Sequence, residues 1–88
     1  AADRLRALLR GWSLPQQPLS APLSVVYGDL DTFIDYQWTA DAILRACALG
    51  GVVDWTVAEG KGHGDVDLAA QLEWVADRFA GNPPTNDC

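Results

Sequence analysis

The sequence predicts an α/β fold in which helices cover a small parallel sheet. Two short runs rich in β-branched residues, 23–27 and 52–58, are typical of strands. Segment 36–49 between them has apolar residues at helical spacing, and the succession strand, helix, strand usually forms a βαβ unit with parallel strands. Two strands do not make a stable open sheet. We therefore expect the chain to form one edge of a larger sheet and not to fold stably by itself.

The first 22 residues are expected to hold a short helix and a proline-rich connector. Leu5, Leu8 and Leu9 recur at helical spacing within the segment 3–10. The connector 11–22 then carries three prolines in twelve residues, which is typical of a loop or an extended connector.

Residues 23–81 form the predicted α/β segment, and its first half contains a strand and a helix. The strand 23–27 ends at Gly28, and Asp35 is placed to cap the helix 36–49, which Gly50 ends. The apolar stripe of that helix consists of Ala40, Ile43, Leu44 and Cys47.

The second half of the segment contains a strand, a glycine-rich turn and a last helix. The turn EGKGHGD at 59–65 follows the strand 52–58, and Asp65 or Asp67 is placed to cap the helix that Gly81 ends. The apolar stripe of that helix consists of Leu68, Leu72, Val75 and Phe79. Residues 82–88 are predicted to be an irregular tail.

Charge and hydropathy exclude two classes of partner. Six basic residues against twelve acidic ones give a net charge of −6, which is unlike a nucleic-acid-binding surface. No apolar run approaches the roughly 20 residues of a membrane span, so we expect no stable membrane span. The N-terminal residues lack the apolar core of a signal peptide, so we expect any export signal to lie upstream of the chain.

The two cysteines, Cys47 and Cys88, are too few for a zinc site. We predict that they form one disulfide, which would close a loop of about 40 residues; two free thiols are the alternative. The carboxylates lack the spacing of a calcium loop. The sequence therefore predicts no metal and no cofactor.

Two residues with acid–base side chains follow the two predicted strands. Asp31 lies in the turn after the first strand and His63, the only histidine, in the turn after the second. Each alone has an ordinary explanation, as a turn former or as part of a surface loop. Because parallel strands end at the same edge and neighbouring strands lie about 4.8 Å apart, we expect the two side chains to meet. A carboxylate on the histidine Nδ1–H would make two members of a catalytic triad.

The same two turns resemble those of α/β-hydrolases. YGDLDTFI, 27–34, resembles the Gly-x-x-Asp turn of the triad acid, and GKGHGD, 60–65, resembles the terminal Gly-x-Gly-His turn. The helix end RACALGG, the strand and turn VVDWTVAEGKGHGD, the helix LEWVADRFAG and the proline-containing tail that ends in Cys resemble the secretory lipase family, which includes the Candida-type lipase A enzymes. The resemblance covers about residues 20–88.

The resemblance implies the C-terminal βαβα portion of a lipase or esterase in which Asp31 is the triad acid and His63 the general base. It implies a secreted or cell-envelope protein, a lipid or small ester substrate, and an N-terminal remainder of the hydrolase as partner. The chain departs from the family pattern after the acid turn, where the family often has a proline or small apolar residue and this chain has Thr32 and Phe33.

The sequence leaves open which aspartate is the acid, what Phe33 and Ile34 contact, and which function the chain has. Asp29 and Asp35 are rival acids, and Phe33 and Ile34 could line an acyl pocket or pack beneath the acid turn. No Gly-x-Ser-x-Gly motif occurs, so we expect this chain alone to be inactive. A non-catalytic α/β interaction module derived from a hydrolase is the alternative function. A phosphate-binding loop is a weaker one, since EGKGHG lacks both the GxxxxGK[ST] and the GxGxxG pattern.

Overall fold

A two-stranded parallel sheet with three helices makes up the computed structural model, which describes residues 1–88. The elements are α1 (Ala2–Trp12), β1 (Leu23–Gly28), α2 (Tyr36–Ala48), β2 (Val53–Ala58) and α3 (Ala69–Phe79). The strands pair in parallel from Leu23 opposite Val53 to Gly28 opposite Ala58. The α/β class and the parallel pairing are therefore confirmed. None of the helices has the length and apolarity that crossing a membrane requires.

Helix α2 begins and ends where the sequence predicts. The Asp35 carboxylate accepts the Gln37 backbone N–H at 2.9 Å, which confirms the predicted cap. Gly50 follows the helix with a φ of 86°, a conformation that glycine adopts without strain. On the helix surface, Ile43 and Ala46 are buried and Leu44 is exposed.

The core lies between α2 and one face of the sheet. Side chains alternate along a strand, so the odd-numbered residues of both strands share that face. The buried apolar residues are Tyr27, Ile43, Ala46 and Val53, and partly buried neighbours around them are Leu19, Val25, Cys47 and Trp55. So small a core fits the expectation that the sheet needs further cover.

Helix α3 lies against the opposite, more polar face. Ser24, Asp54 and Thr56 occupy that face, and the Gln71 side chain donates to the Ser24 carbonyl at 3.2 Å. The predicted apolar stripe consists of Leu68, Leu72, Val75 and Phe79, and all four side chains are exposed. Because this face of the sheet carries hydroxyl groups and the Asp54 carboxylate, it is better matched by the polar Gln71 side chain than by apolar ones. The apolar stripe of α3 therefore lies on the side of the helix away from the sheet.

The tail 82–88 has no regular structure but is held along the outer edge of β2. The Asp87 backbone N–H donates to the Val53 carbonyl at 2.8 Å, and the Asp87 carboxylate accepts the Trp55 N–H at 2.7 Å. Cys88 forms a disulfide with Cys47, with a Cα–Cα separation of 5.3 Å. The predicted disulfide is confirmed, and it ties the tail to α2.

The outer edge of β1, in contrast, is only partly occupied. Leu23 and Asp29 donate their backbone N–H groups toward β2. Backbone groups of a parallel strand point alternately to its two sides, so those of Ser24, Val26 and Gly28 point away from β2. The Ser24 carbonyl on this edge accepts the Gln71 side chain and the Gly28 carbonyl accepts the Asp31 N–H, so the stretch left open to pair with another strand lies around Val26.

We expect reduction to free the tail and expose the β2 edge. Mass spectrometry should show a gain of two hydrogen atoms, about 2 Da, when a dithiol reduces the single disulfide. Hydrogen exchange at the Trp55 amide should then accelerate, because the Asp87 carboxylate that accepts it is no longer tied by Cys88. A mass that does not change on reduction would contradict the pairing of Cys47 with Cys88.

Candidate active site

Asp31 and His63 meet at the carboxyl edge of the sheet. The His63 Nδ1 atom lies 2.8 Å from Asp31 Oδ2. The Asp31 side chain is only 8% exposed, whereas that of His63 is 55% exposed. The structure therefore brings the two predicted residues together, with the carboxylate sheltered and the imidazole half open to solvent.

The acid turn holds the Asp31 carboxylate by its own backbone. Oδ1 accepts the N–H groups of Phe33 and Ile34, both at 2.9 Å, and this leaves Oδ2 for His63. An aspartate that accepts main-chain N–H groups two and three residues further on is a standard turn device. Here the same device fixes the direction in which the second oxygen points.

Hydrogen bonds to the charged form lower the pKa of Asp31 below its ordinary value of 3.8. The Ile34 N–H is the largest cause, and His63 and the Phe33 N–H act in the same direction, while partial burial opposes them. The carboxylate therefore remains charged at a pH at which a free aspartate takes up a proton.

We expect the Asp31 carboxyl carbon, followed by NMR, to titrate with a midpoint below 3.8. A depressed folded-state pKa stabilises the fold fully above the unfolded value, and this contribution is lost only as the pH falls through the lower folded value. The midpoint should stay below 3.8 in His63→Gln, since the main cause is the Ile34 N–H. A midpoint at or above 3.8 in the unsubstituted protein would contradict this assignment.

Hydrogen bonds between the two turns hold the histidine turn in place. The Leu30 N–H donates to the Lys61 carbonyl at 3.0 Å, and the Asp29 carboxylate accepts the Gly60 N–H at 2.7 Å. Gly60 has a φ of 70°, which favours glycine. The segment before His63 is thus tied to the segment before Asp31.

Gly28 allows the two turns to approach each other. A Cβ atom at Gly28 would lie 2.0 Å from the Lys61 carbonyl oxygen and 2.9 Å from that of Gly62. Both of these atoms belong to the backbone that leads into His63, so they cannot move aside as a flexible side chain can. Glycine at this position is therefore a condition for the contact between the acid and the base.

A shallow pocket of about 210 Å³ opens beside the Asp31–His63 pair. Ile34, Thr39 and Val66 contribute to its wall. Phe33 is 76% exposed and lies with its ring centroid 5.0 Å from that of His63. Phe33 therefore neither packs beneath the turn nor lines this pocket, whereas Ile34 does line it.

The rival acids have other partners. Asp35 caps α2, and Asp29 ties the two turns together through Gly60. Sequence reasoning missed the roles of Asp29 and Gly28. The Asx-type hydrogen bond at Asp31 could have been found from the sequence, because an aspartate directly after a strand end is typical of such turns.

No serine of the chain is hydrogen-bonded to His63. The Ser13 hydroxyl donates to the Leu9 carbonyl at the end of α1, and Ser20 lies in the connector. Ser24 lies near the start of β1, about 13 Å along the strand from its carboxyl end. The pair therefore has no nucleophile among these residues.

No group of three histidine, cysteine, aspartate or glutamate side chains is arranged to hold a metal ion. Comparisons with family models, curated proteins and solved structures give no match for the chain. A carboxylate on Nδ1 leaves Nε2 able to accept a proton from a hydroxyl group on the exposed side.

Proposed function

We propose that this chain is the C-terminal part of a serine hydrolase that cleaves carboxylic esters, and that it supplies the acid and the base of the catalytic triad. The observation that carries the proposal is the Asp31–His63 hydrogen bond of 2.8 Å at the carboxyl edge of a parallel sheet. In open α/β sheets this edge is where active sites lie.

In this mechanism His63 Nε2 takes the proton of a serine hydroxyl as its oxygen attacks the ester carbonyl. Asp31 holds the imidazole in the Nδ1–H tautomer and stabilises the imidazolium that forms. The proton then passes from Nε2 to the oxygen of the leaving alcohol as the tetrahedral intermediate collapses. Water, deprotonated by the same histidine, then attacks the acyl-enzyme, and the histidine returns the proton to the serine oxygen as the acid leaves.

The nucleophile comes from a segment other than residues 1–88 in this proposal. In α/β-hydrolases the chain order is nucleophile, acid, histidine, so the serine would precede Asp31. The outer edge of β1 is a place where a further strand can join the sheet once the Gln71 side chain leaves the Ser24 carbonyl, since the tail already lines β2. A strand added there would end at the same edge as Asp31 and His63.

The substrate class and the location follow from the resemblance to the secretory lipase family. A lipid or small ester is the proposed substrate, and the proposed location is outside the cell or in its envelope. The Cys47–Cys88 disulfide supports an oxidising compartment. The apolar wall beside the pair, with Ile34 and Val66, supports an apolar acyl or alcohol group.

A serine-directed fluorophosphonate probe tests the proposal on the full-length translation product that contains this chain. We expect the probe to label one serine outside residues 1–88 and to leave the isolated 88-residue chain unlabelled. In His63→Gln the same serine should be labelled much more slowly, because its hydroxyl has lost its base. A full-length product without a labelled serine would overturn the proposal and favour the non-catalytic interaction module.

A further inference from the structure

Phe33 is held close to both members of the acid–base pair. Its backbone N–H donates to Asp31 Oδ1 at 2.9 Å, and its ring centroid lies 5.0 Å from the His63 ring at an interplanar angle of 50°. The side chain is 76% exposed and takes no part in the core. Core packing therefore does not explain where it lies, and the contact with His63 does.

The Nδ1 hydrogen bond alone holds one atom of the half-exposed imidazole and does not prevent small rotations about its Cα–Cβ and Cβ–Cγ bonds, which move Nε2. An aromatic ring against one side of the imidazole restricts this motion, and tilted aromatic pairs attract each other beyond the area they bury. A ring face also attracts the imidazolium that forms during proton transfer. The motion that Phe33 opposes is the one that would carry Nε2 away from a substrate.

We propose that Phe33 is a positioning residue, which holds the His63 imidazole in the orientation that directs Nε2 outward while Asp31 holds Nδ1. This proposal rests on the proposed function for its catalytic meaning. It does not depend on the resemblance, since the family pattern has a proline or small apolar residue after the acid turn. The structural part, ordering of the imidazole by Phe33, can be measured without any activity.

Phe33→Ala in the full-length product tests the proposal, because it removes the ring and keeps the backbone N–H that holds Asp31. We expect kcat for a short-chain ester to fall by up to about tenfold, which is the factor that corresponds to the loss of a strong aromatic pair. KM should change little. The kcat of Phe33→Leu should lie between that of Phe33→Ala and that of the unsubstituted protein, since leucine restores apolar bulk without the aromatic face. Phe79→Ala is the matched control: that side chain is also exposed, at 90%, lies at the end of α3 and should leave kcat unchanged.

NMR of histidine-labelled protein supplies the second measurement, with the His63 signal assigned by its loss in His63→Gln. In Phe33→Ala the Nδ1-bound proton should exchange with water up to about tenfold faster. An unchanged exchange rate would overturn the proposal, as would a rise in KM at constant kcat, which would make Phe33 part of the substrate pocket. If exchange accelerates but the full-length product has no labelled serine, the proposed function fails and the ordering of His63 by Phe33 stands.

Discussion

Under the proposed function, replacing His63 with alanine in the full-length product should lower the kcat for ester hydrolysis by about 10⁶-fold, the loss expected when the base of a triad is removed. The side chain is half exposed and is not part of the core cluster, so the fold should persist. KM should change little, because a proton acceptor acts in the transition state and adds little to ground-state binding. Steady-state kinetics with a chromogenic ester, alongside circular dichroism, is the measurement.

Asp31→Asn should lower kcat less, by about 10⁴-fold. The amide oxygen can still accept the N–H groups of Phe33 and Ile34, so the turn is retained. The amide nitrogen, however, is a donor, and it would favour the tautomer in which Nε2 carries the proton and cannot act as a base.

Asp35→Asn is the matched control for that substitution. Asparagine caps helices as well as aspartate does, so α2 and the activity should both be preserved. An Asp35→Asn variant that loses activity, or an Asp31→Asn variant that keeps it, would show that the triad acid has been assigned to the wrong residue.

The local elements could be predicted from the sequence because each depends on neighbouring residues. The cap at Asp35, the end of α2 at Gly50 and the strand at 23–27 all follow from short patterns, and all are confirmed. The parallel pairing could be inferred as well, since a helix of this length between two strands carries the chain back to the same end of the sheet.

What the sequence did not reveal depends on contacts between distant segments. The apolar stripe of α3 predicts a buried face, but Ser24 and Asp54 make the facing sheet polar, and only the paired strands show this. The tail carries no strand pattern, yet Asp87 lies along β2. Its N–H donates to the Val53 carbonyl and its carboxylate accepts the Trp55 N–H, as the backbone of a neighbouring strand would.

The position of the candidate site could be predicted, but what holds it together could not. The order of strands and turns places Asp31 and His63 at one edge, and this requires only the alternation of elements. The spacing between the turns is set by Gly28, which in the sequence looks like an ordinary strand end. Its role appears only once the Lys61 carbonyl is seen next to it.

Under the proposed function, Gly28→Ala should therefore abolish most of the activity although it leaves the side chains of Asp31 and His63 unchanged. The added methyl group would lie 2.0 Å from the Lys61 carbonyl oxygen, so the histidine turn has to move by more than an ångström. A misplacement of that size lowers the rate about 100-fold or more. The free energy of unfolding should also fall, by about 1–3 kcal/mol, because the extra group overpacks the contact between the turns.

Gly64→Ala provides the control, since Gly64 directly follows His63 and a Cβ there meets no atom within 4 Å. Its φ is not positive, so alanine adopts the same backbone conformation. Kinetics and chemical denaturation of the two variants should separate them: Gly28→Ala loses kcat and stability, and Gly64→Ala keeps both. Full activity in Gly28→Ala would mean that the two turns can separate without cost, and the hydrogen bond between Asp31 and His63 would then not be what makes the site work.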